Sequence, residues 1–115
     1  MANGSKRKGA DGEREWAAFC RDNGFKDARR GGQAMYQRGS ELPDCLGLPF
    51  IHQEVKRQEH LNIGKAIEQS ARDAADEGRG HLPIVAHRTN RRPWLVTMFA
   101  KDWIRVYKAA LGRKE

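Results

Sequence analysis

Cysteine is scarce in this sequence of 115 residues, which contains only Cys20 and Cys45. Two cysteines are too few for a disulfide framework, and neither lies in the Cys-x-x-Cys or paired Cys/His spacing of a structural zinc site. Both are therefore predicted to be small buried residues. The four histidines also lack ligand spacing. Only His52 stands out, because it lies two residues before Glu54 and would share its face of a strand.

Long apolar runs are also missing from the sequence. No stretch approaches the ~18 apolar residues of a membrane-spanning helix. The basic run from Lys6 to Lys8 is not followed by the apolar core of a signal peptide. We therefore expect a cytoplasmic protein without a membrane span. The length suits a single domain over residues 9–115, preceded by a flexible basic arm over residues 1–8.

The charge balance favours a polyanionic partner. The sequence has 22 Lys and Arg residues against 15 Asp and Glu residues, which gives a formal net charge of +7. Excess positive charge on a small domain is typical of proteins that bind nucleic acid. Charge alone leaves open a non-catalytic basic protein that binds nucleic acid and whose acidic residues are incidental.

The segment 43–57 carries the strongest pattern in the sequence. It predicts a short strand, a turn over residues 47–49 and a second strand over residues 50–56. Side chains alternate along a strand, so Glu54 and Lys56 share one face of the second strand. Folding the hairpin back at the turn brings Asp44 nearly opposite Glu54. Two carboxylates and an ammonium group are therefore expected to converge.

Two opposed carboxylates repel each other in a purely structural sheet. A divalent cation would relieve the repulsion, and carboxylate oxygens are ligands that suit Mg²⁺, for which Mn²⁺ is expected to substitute. Lys56 would then orient a water molecule or stabilise negative charge on a phosphate. The alternative is a solvated hairpin face on which the charges simply pair.

Pro43-Asp44 and Glu54-Val55-Lys56 together resemble the signature of the PD-(D/E)xK nuclease superfamily. Within it the chain is most similar to the small Holliday junction resolvases of archaeal and phage type. The resemblance implies a restriction-endonuclease-like α/β/α sandwich and a Mg²⁺-dependent endonuclease that cuts branched DNA as a homodimer. It implies that Asp44 and Glu54 bind the metal. A nicking or restriction-type nuclease of the same superfamily is the alternative within the enzymes.

Glu13 lies on the apolar stripe of a helix predicted over residues 11–23. The stripe contains Trp16, Ala17 and Cys20, so Glu13 would face the core rather than water. An acidic residue in a first turn is ordinarily explained by the helix dipole. The Glu-Arg-Glu run that begins at Glu13 resembles the first helix of the resolvases. That resemblance implies that Glu13 is a further catalytic acid and metal ligand.

The rest of the pattern predicts a mixed sheet of four or five strands flanked by helices. Strands are expected over residues 25–30, 82–87 and 94–99, the last two as buried central strands, with helices over 62–77 and 101–111. The terminal helix either closes the sheet or forms a subunit interface. Gln69 on the preceding helix resembles a Gln that superfamily members often carry after the Glu-x-Lys strand, which implies a catalytic role.

Basic and hydroxyl side chains outside the acidic hairpin are expected to contact DNA phosphates. They lie in a Gly-rich connection over residues 31–41 and its preceding strand, at the end of the Glu-x-Lys strand, and in a turn over residues 88–93. The predicted contacts are Arg29, Arg30, Arg38, Ser40, Arg57, Arg88, Arg91 and Arg92. Trp94, next to the turn, either stacks on a base or packs in the core.

Overall fold

A mixed five-stranded β-sheet and three helices make up the part of the chain that the computed structural model describes, residues 2–31 and 43–112, with side chains from residue 9 onward. The α/β class expected from the sequence is confirmed. The elements, in chain order, are α1 (Ala2–Asp22), β1 (Arg29–Arg30), β2 (Cys45–Leu46), β3 (Ile51–Arg57), α2 (Ile63–Glu77), β4 (Leu82–Arg88), β5 (Leu95–Thr97) and α3 (Ala100–Ala110).

The strands lie in the sheet in the same order as in the chain. β1 pairs antiparallel with β2, β2 pairs antiparallel with β3, β3 and β4 are parallel, and β5 returns antiparallel to β4. The parallel pair is joined through α2, because a parallel connection needs a crossover. In its register Glu54 pairs with Val85. β3 and β4 therefore form the centre of the sheet, and the Glu-x-Lys segment lies in it.

Side-chain alternation along β3 and β4 places α1 and α2 on opposite faces of the sheet. Val55, Ile84 and Ala86 join the core cluster that contains Trp16 of α1. Val85 points the other way and packs against Ala66 and other residues of α2. Because Glu54 pairs with Val85 and its side chain lies on the same face, Glu54 faces α2.

Helix α1 lies unusually close to β3. Trp16 Nε1 donates a buried hydrogen bond of 2.7 Å to Gln53 Oε1. At Gly12 a Cβ atom would lie 2.6 Å from Cβ of Arg57, so only glycine allows this approach. These two contacts fix the rotation of α1 on the sheet and with it the direction in which Glu13 points.

Several predicted elements agree with the structure. β3 and α2 have almost the predicted bounds, and Ile51 and Val55 lie in or against the core cluster on the α1 side as expected. The side chain of Asn62 caps α2 by accepting a hydrogen bond from the Lys65 N–H, and Gly78 ends the helix in the left-handed region with φ 70°. Cys20 and Cys45 are both buried and free, as predicted.

Three predicted boundaries are wrong. α1 begins at Ala2 rather than Asp11 and runs through the segment expected to be a basic arm, because Lys and Arg favour helix and a single Gly weakens a helix without ending it. The first strand contains only Arg29–Arg30. Residues before it form turns, in which Phe25 N–H donates to Cys20 C=O and Ala28 N–H donates to Phe25 C=O.

The third correction concerns β5, which was expected to be a buried central strand over residues 94–99. It spans Leu95–Thr97 and pairs only with β4, so it forms an edge of the described sheet. Leu95 and Val96 are exposed. The apolar run had suggested burial on both faces, but no described element covers this strand. None of the helices described combines the length and apolarity that a membrane crossing requires.

Candidate metal centre

The β2–β3 hairpin brings Asp44 to the position opposite Glu54, as the sequence predicted. Cys45 pairs with Gln53, and continuing this antiparallel register by one residue aligns Asp44 with Glu54. Two hydrogen bonds fix Asp44. Its N–H donates to Gln53 C=O at 2.9 Å, and its Oδ2 accepts from Val55 N–H at 2.8 Å. The carboxylate is thus held against the backbone of β3 beside Glu54.

The electrostatic state of Asp44 reflects three neighbouring charges. Burial first, and then the negative charges of Glu54 and Glu13, raise the pKa of Asp44 to about 7. The Val55 N–H and the Lys56 ammonium act in the opposite direction. Glu54, Glu13 and Lys56 therefore all lie within electrostatic reach of Asp44. Among the described residues, neither Asp44 nor Glu13 belongs to a group of three side chains whose potential ligand atoms lie within 4.8 Å of one another.

Glu13 joins the cluster from α1. Its Oε1 accepts a hydrogen bond of 2.9 Å from Arg30 Nε, and its backbone carbonyl accepts one of 3.4 Å from the Cys45 thiol. The side chain is only 19% exposed. The helix dipole does not explain this residue, because α1 begins at Ala2 and has no acidic residue in its first turn. Glu13 is instead a partly buried acid beside the hairpin, and it pairs with Arg30.

Helix α2 faces β3 with a column of polar side chains. His52 Nδ1 lies 2.9 Å from Glu77 Oε1, and one turn earlier Asp73 lies near Glu54. Four helical residues rise about as far as two strand residues. A further turn toward the start of α2 puts Gln69 level with Lys56, and Gln69 is half-buried there. The predicted residue Gln69 therefore lies on the side of α2 that faces the cluster.

Sequence reasoning missed Asp73 and Glu77. Both face the sheet, and Asp73 is buried although it stands beside the small-residue stripe of α2. The sequence did contain a signal. Asp73 and Glu77 are four residues apart on a helix, and His52 and Glu54 are two residues apart on a strand, which are similar distances along the two elements. This signal becomes meaningful only once the register between α2 and β3 is known, because neither spacing specifies a partner.

His52 is fully buried between Glu54 and Glu77. Burial by itself lowers the pKa of His52, but the two carboxylates outweigh it and raise that pKa above its ordinary value. His52 Nε2 lies 3.9 Å from Glu54 Oε1, which is too far for a hydrogen bond. His52, Glu54 and Asp73 each offer one potential ligand atom, and these atoms all lie within 4.8 Å of one another.

Three of the predicted DNA-contacting arginines form ion pairs within the chain. Arg57 Nε and an Arg88 terminal nitrogen lie 3.2 and 3.4 Å from Glu15 Oε1, and Arg30 is bound to Glu13 as described above. Arg57 also donates a 2.7 Å hydrogen bond to Asn90 Oδ1. These contacts hold the turn after β4 against α1. Their positive charges are therefore partly neutralised within the domain.

The other predicted basic contacts are more accessible. Arg91 and Arg92 are exposed at the tip of the turn after β4, and Arg91 adopts a positive φ of 61°. Arg29 is exposed and donates to the Asp27 carbonyl. Arg38 and Ser40 lie outside the described residues. Exposed guanidinium groups on a turn can approach a phosphate backbone without disrupting the fold.

Trp94 packs in the core rather than presenting a free ring for base stacking. Its ring centroid lies 5.2 Å from that of Trp16, and the Arg88 guanidinium lies over the ring at 5.8 Å. It is one of the partly buried residues that pack against the core on the α1 side. The second of the two alternatives, packing in the core, therefore agrees with its contacts.

No family model, curated protein or solved structure matches this chain. The functional interpretation rests on the residues themselves. Asp44 and Glu54 lie opposite each other where β2 meets β3, and carboxylate oxygens are the ligands that hard divalent cations prefer.

Proposed function

We propose that this protein is a Mg²⁺-dependent endodeoxyribonuclease with restriction-endonuclease-like architecture. The observation that carries the proposal is the convergence of Asp44, Glu54 and Glu13 with Lys56, in which burial and neighbouring negative charge raise the pKa of Asp44 to about 7. A carboxylate under such repulsion gains more than an isolated one from a bound cation. The order of elements around it, with Asp44 directly before β2 and Glu-x-Lys on β3, supports the same architecture.

The residues divide the chemical work between them. Asp44 and Glu54 would hold Mg²⁺, with Glu13 as a third ligand or a support. Bound there, the ion would neutralise charge on the scissile phosphate and make a coordinated water more acidic. Lys56 donates hydrogen bonds that orient the attacking water or stabilise the negative charge on phosphorus-bound oxygens. Gln69, half-buried on α2, would help to position the same water.

DNA binding would use charge that the fold leaves free. The net charge of +7 supplies a long-range attraction, and Arg91, Arg92 and Arg29 offer exposed guanidinium groups. Ion pairs with Glu15 and Glu13 hold three other arginines, Arg57, Arg88 and Arg30. These arginines would contribute mainly to the shape of the surface. The proposed location of this activity is the cytoplasm, where the cell's DNA is accessible.

The proposed substrate is branched DNA, with the four-way Holliday junction as the first candidate, and the proposed active form is a homodimer. A junction requires two symmetric cuts, and one domain offers one site, so a two-fold axis would supply the second. The exposed face of α3 supports this assembly. Trp103 and Tyr107 stack there with ring centroids 5.4 Å apart while remaining about half exposed.

The proposal is tested by incubating the protein with labelled four-way junctions, duplexes, flaps and single strands, with and without Mg²⁺ or Mn²⁺. Cleavage that requires the metal and favours junctions supports a resolvase. Metal-dependent cleavage of duplex without this preference supports a nicking or restriction-type nuclease. Tight binding without cleavage under every metal condition would leave the non-catalytic nucleic-acid-binding function. Asp76→Asn serves as the matched control, because Asp76 is exposed on α2, away from the cluster.

A further inference from the structure

Two buried polar atoms between β3 and α2 lack hydrogen-bond partners among the described residues. They are Nε2 of His52, a fully buried residue, and Oε1 of Glu54, a residue that is 5% exposed. The two atoms face each other at 3.9 Å. Burying polar groups without partners is costly, so such atoms normally mark a missing ligand, water or proton.

A third potential metal ligand comes from α2, which packs against β3. Asp73, on α2, is buried and contributes a carboxylate oxygen, so that the three potential ligand atoms lie within 4.8 Å of one another. Ligand atoms at about 2 Å from a tetrahedral metal ion are separated by about 3–4 Å. A slight contraction of the existing group would therefore make a first coordination sphere.

Glu77 orients the imidazole for this role. His52 Nδ1 lies 2.9 Å from Glu77 Oε1, a carboxylate acceptor, so Nδ1 is the nitrogen that carries the proton. The lone pair of Nε2 is then directed at Glu54. A histidine that donates one ring N–H to a carboxylate and offers the other nitrogen to a cation is the usual arrangement around protein-bound metals. Ser70, which donates to the Ile84 carbonyl at 2.9 Å, anchors α2 on the sheet beside it.

We propose that His52, Glu54 and Asp73 form a buried site for a first-row transition-metal dication, with Glu77 as the carboxylate that positions His52. An imidazole nitrogen with two carboxylate oxygens suits Zn²⁺ or Mn²⁺ better than Mg²⁺, which prefers oxygen ligands. Glu54 belongs both to this group and to the proposed Mg²⁺ site. The buried site does not depend on nuclease activity, because metal binding alone tests it.

The experiment titrates metal-stripped protein with Co²⁺, followed by its visible absorption, and with Zn²⁺, followed by calorimetry. Each metal is also added during refolding, because the site is buried. We expect one ion per chain in the wild type. His52→Gln and Asp73→Asn should each weaken Zn²⁺ binding by more than tenfold, and Glu77→Gln should weaken it by about 10–100-fold. The Asp44→Asn variant and the exposed control Asp76→Asn should each bind Zn²⁺ with an affinity within about threefold of that of the wild type. This difference is well below the effect expected for Glu77→Gln.

Two results would overturn the proposal. One is Zn²⁺ and Co²⁺ binding that survives both His52→Gln and Asp73→Asn. The other is a wild-type protein that takes up neither metal, whether added to the folded protein or during refolding, and whose ¹⁵N spectra show His52 protonated on both ring nitrogens. In that case a second proton on His52, rather than a metal ion, would stabilise the neighbouring carboxylates. If a variant fails to fold by circular dichroism, the His52 Nε2 resonance of the wild type decides the question, because bound Zn²⁺ shifts it and a distant ion does not.

Discussion

Oδ2 of Asp44 accepts a hydrogen bond from the backbone N–H of Val55 at 2.8 Å. Val55 stands between Glu54 and Lys56, so this single bond places the acid of one strand beside the acid and the lysine of the next. Asp44 directly precedes β2, so the bond lies where that strand begins. Asp44 therefore fixes the hairpin through its own side chain, and we expect loss of its carboxylate to change the local structure as well as any metal-dependent chemistry.

Removing either opposed carboxylate should abolish cleavage without abolishing DNA binding. Asp44→Asn keeps a side-chain oxygen that can accept from Val55 N–H, and Glu54→Gln keeps the volume of the buried side chain. Loss of a residue that hydrogen-bonds to a metal ligand typically reduces activity by about 10–100-fold. We expect loss of a ligand itself to reduce turnover by more than this. DNA affinity should be equal or tighter, because a negative charge near the phosphate is removed. Single-turnover cleavage and fluorescence anisotropy measure the two effects.

Normal cleavage by either variant would contradict the assignment of these carboxylates to the metal. Asp76→Asn, which removes an exposed acid from α2, provides the control for a change of net charge. It should leave both turnover and affinity unchanged.

The raised pKa of Asp44 predicts that the metal-free protein loses stability as the pH increases. In the unfolded chain this carboxyl titrates near 3.8, and in the folded protein its pKa is about 7. Between these values the folded state binds the proton more tightly, so the stabilisation is complete below about 3.8 and is lost as the pH rises through about 7. Thermal unfolding in chelator between pH 4 and 8 measures the trend.

Mg²⁺ should reverse the trend at the upper end of this range. The ion competes with the proton for Asp44, so its stabilising effect should be small at pH 5 and large at pH 8. Asp44→Asn should flatten the metal-free pH profile and remove the Mg²⁺ effect. An equal Mg²⁺ effect at both pH values would show that Asp44 is not a ligand.

Local patterns were sufficient to predict the acidic hairpin and α2. The alternation of Ile51 and Val55 with Glu54 specifies which side of β3 carries apolar side chains and which carries the acid, and the helix period around Trp16 put Glu13 toward the sheet. Both inferences depend on residues close in sequence. The start of α1 was not predictable in this way, because no capping residue marks Ala2 and the segment is polar.

Contacts between distant elements accounted for the rest. His52, Asp73 and Glu77 meet only because α2 packs back on β3, and the pairing of Arg57 and Arg88 with Glu15 depends on the position of α1. The edge position of β5 follows from which strand β4 already pairs with, not from the apolar residues of β5 itself. Sequence patterns specify faces, whereas partners follow from the topology.

Neutralising Arg91 and Arg92 should weaken binding to every form of DNA. Both side chains are exposed at the tip of the turn after β4, outside the ion pairs of Arg57 and Arg88. Arg91→Ala with Arg92→Ala should reduce the slope of log affinity against log salt by about 0.9 for each lost phosphate contact on duplex. Turnover at saturating DNA should change far less. Anisotropy titrations over a range of salt concentrations measure the slope.

A matched loss of positive charge elsewhere gives the control for this pair. Lys101 and Lys108, both exposed on α3, can be changed to Ala together without touching the turn, which also removes two positive charges. An Arg91/Arg92 variant with an unchanged salt slope would show that this turn faces away from DNA.

The aromatic face of α3 should hold two copies of the chain together. Trp103, Ile104, Tyr107 and Leu111 recur at helical spacing, and all four are between 41% and 53% exposed. Leaving this apolar face in water is unfavourable, and a two-fold axis would bury it against itself. Light scattering of the wild type at micromolar concentration and moderate salt should therefore give twice the chain mass of 13.1 kDa.

Replacing Trp103 and Tyr107 together by Ala should shift the mass toward that of one chain. Both rings are about half exposed and lie at the surface of α3, so the monomer should keep its fold, and circular dichroism checks this. Lys108→Ala on the same helix should leave the mass unchanged. The monomeric variant should nick DNA but lose coordinated cleavage of both strands of a junction, since the two cuts would no longer share one complex. A wild type that is monomeric and still resolves junctions would contradict the dimer and favour a simple nicking nuclease.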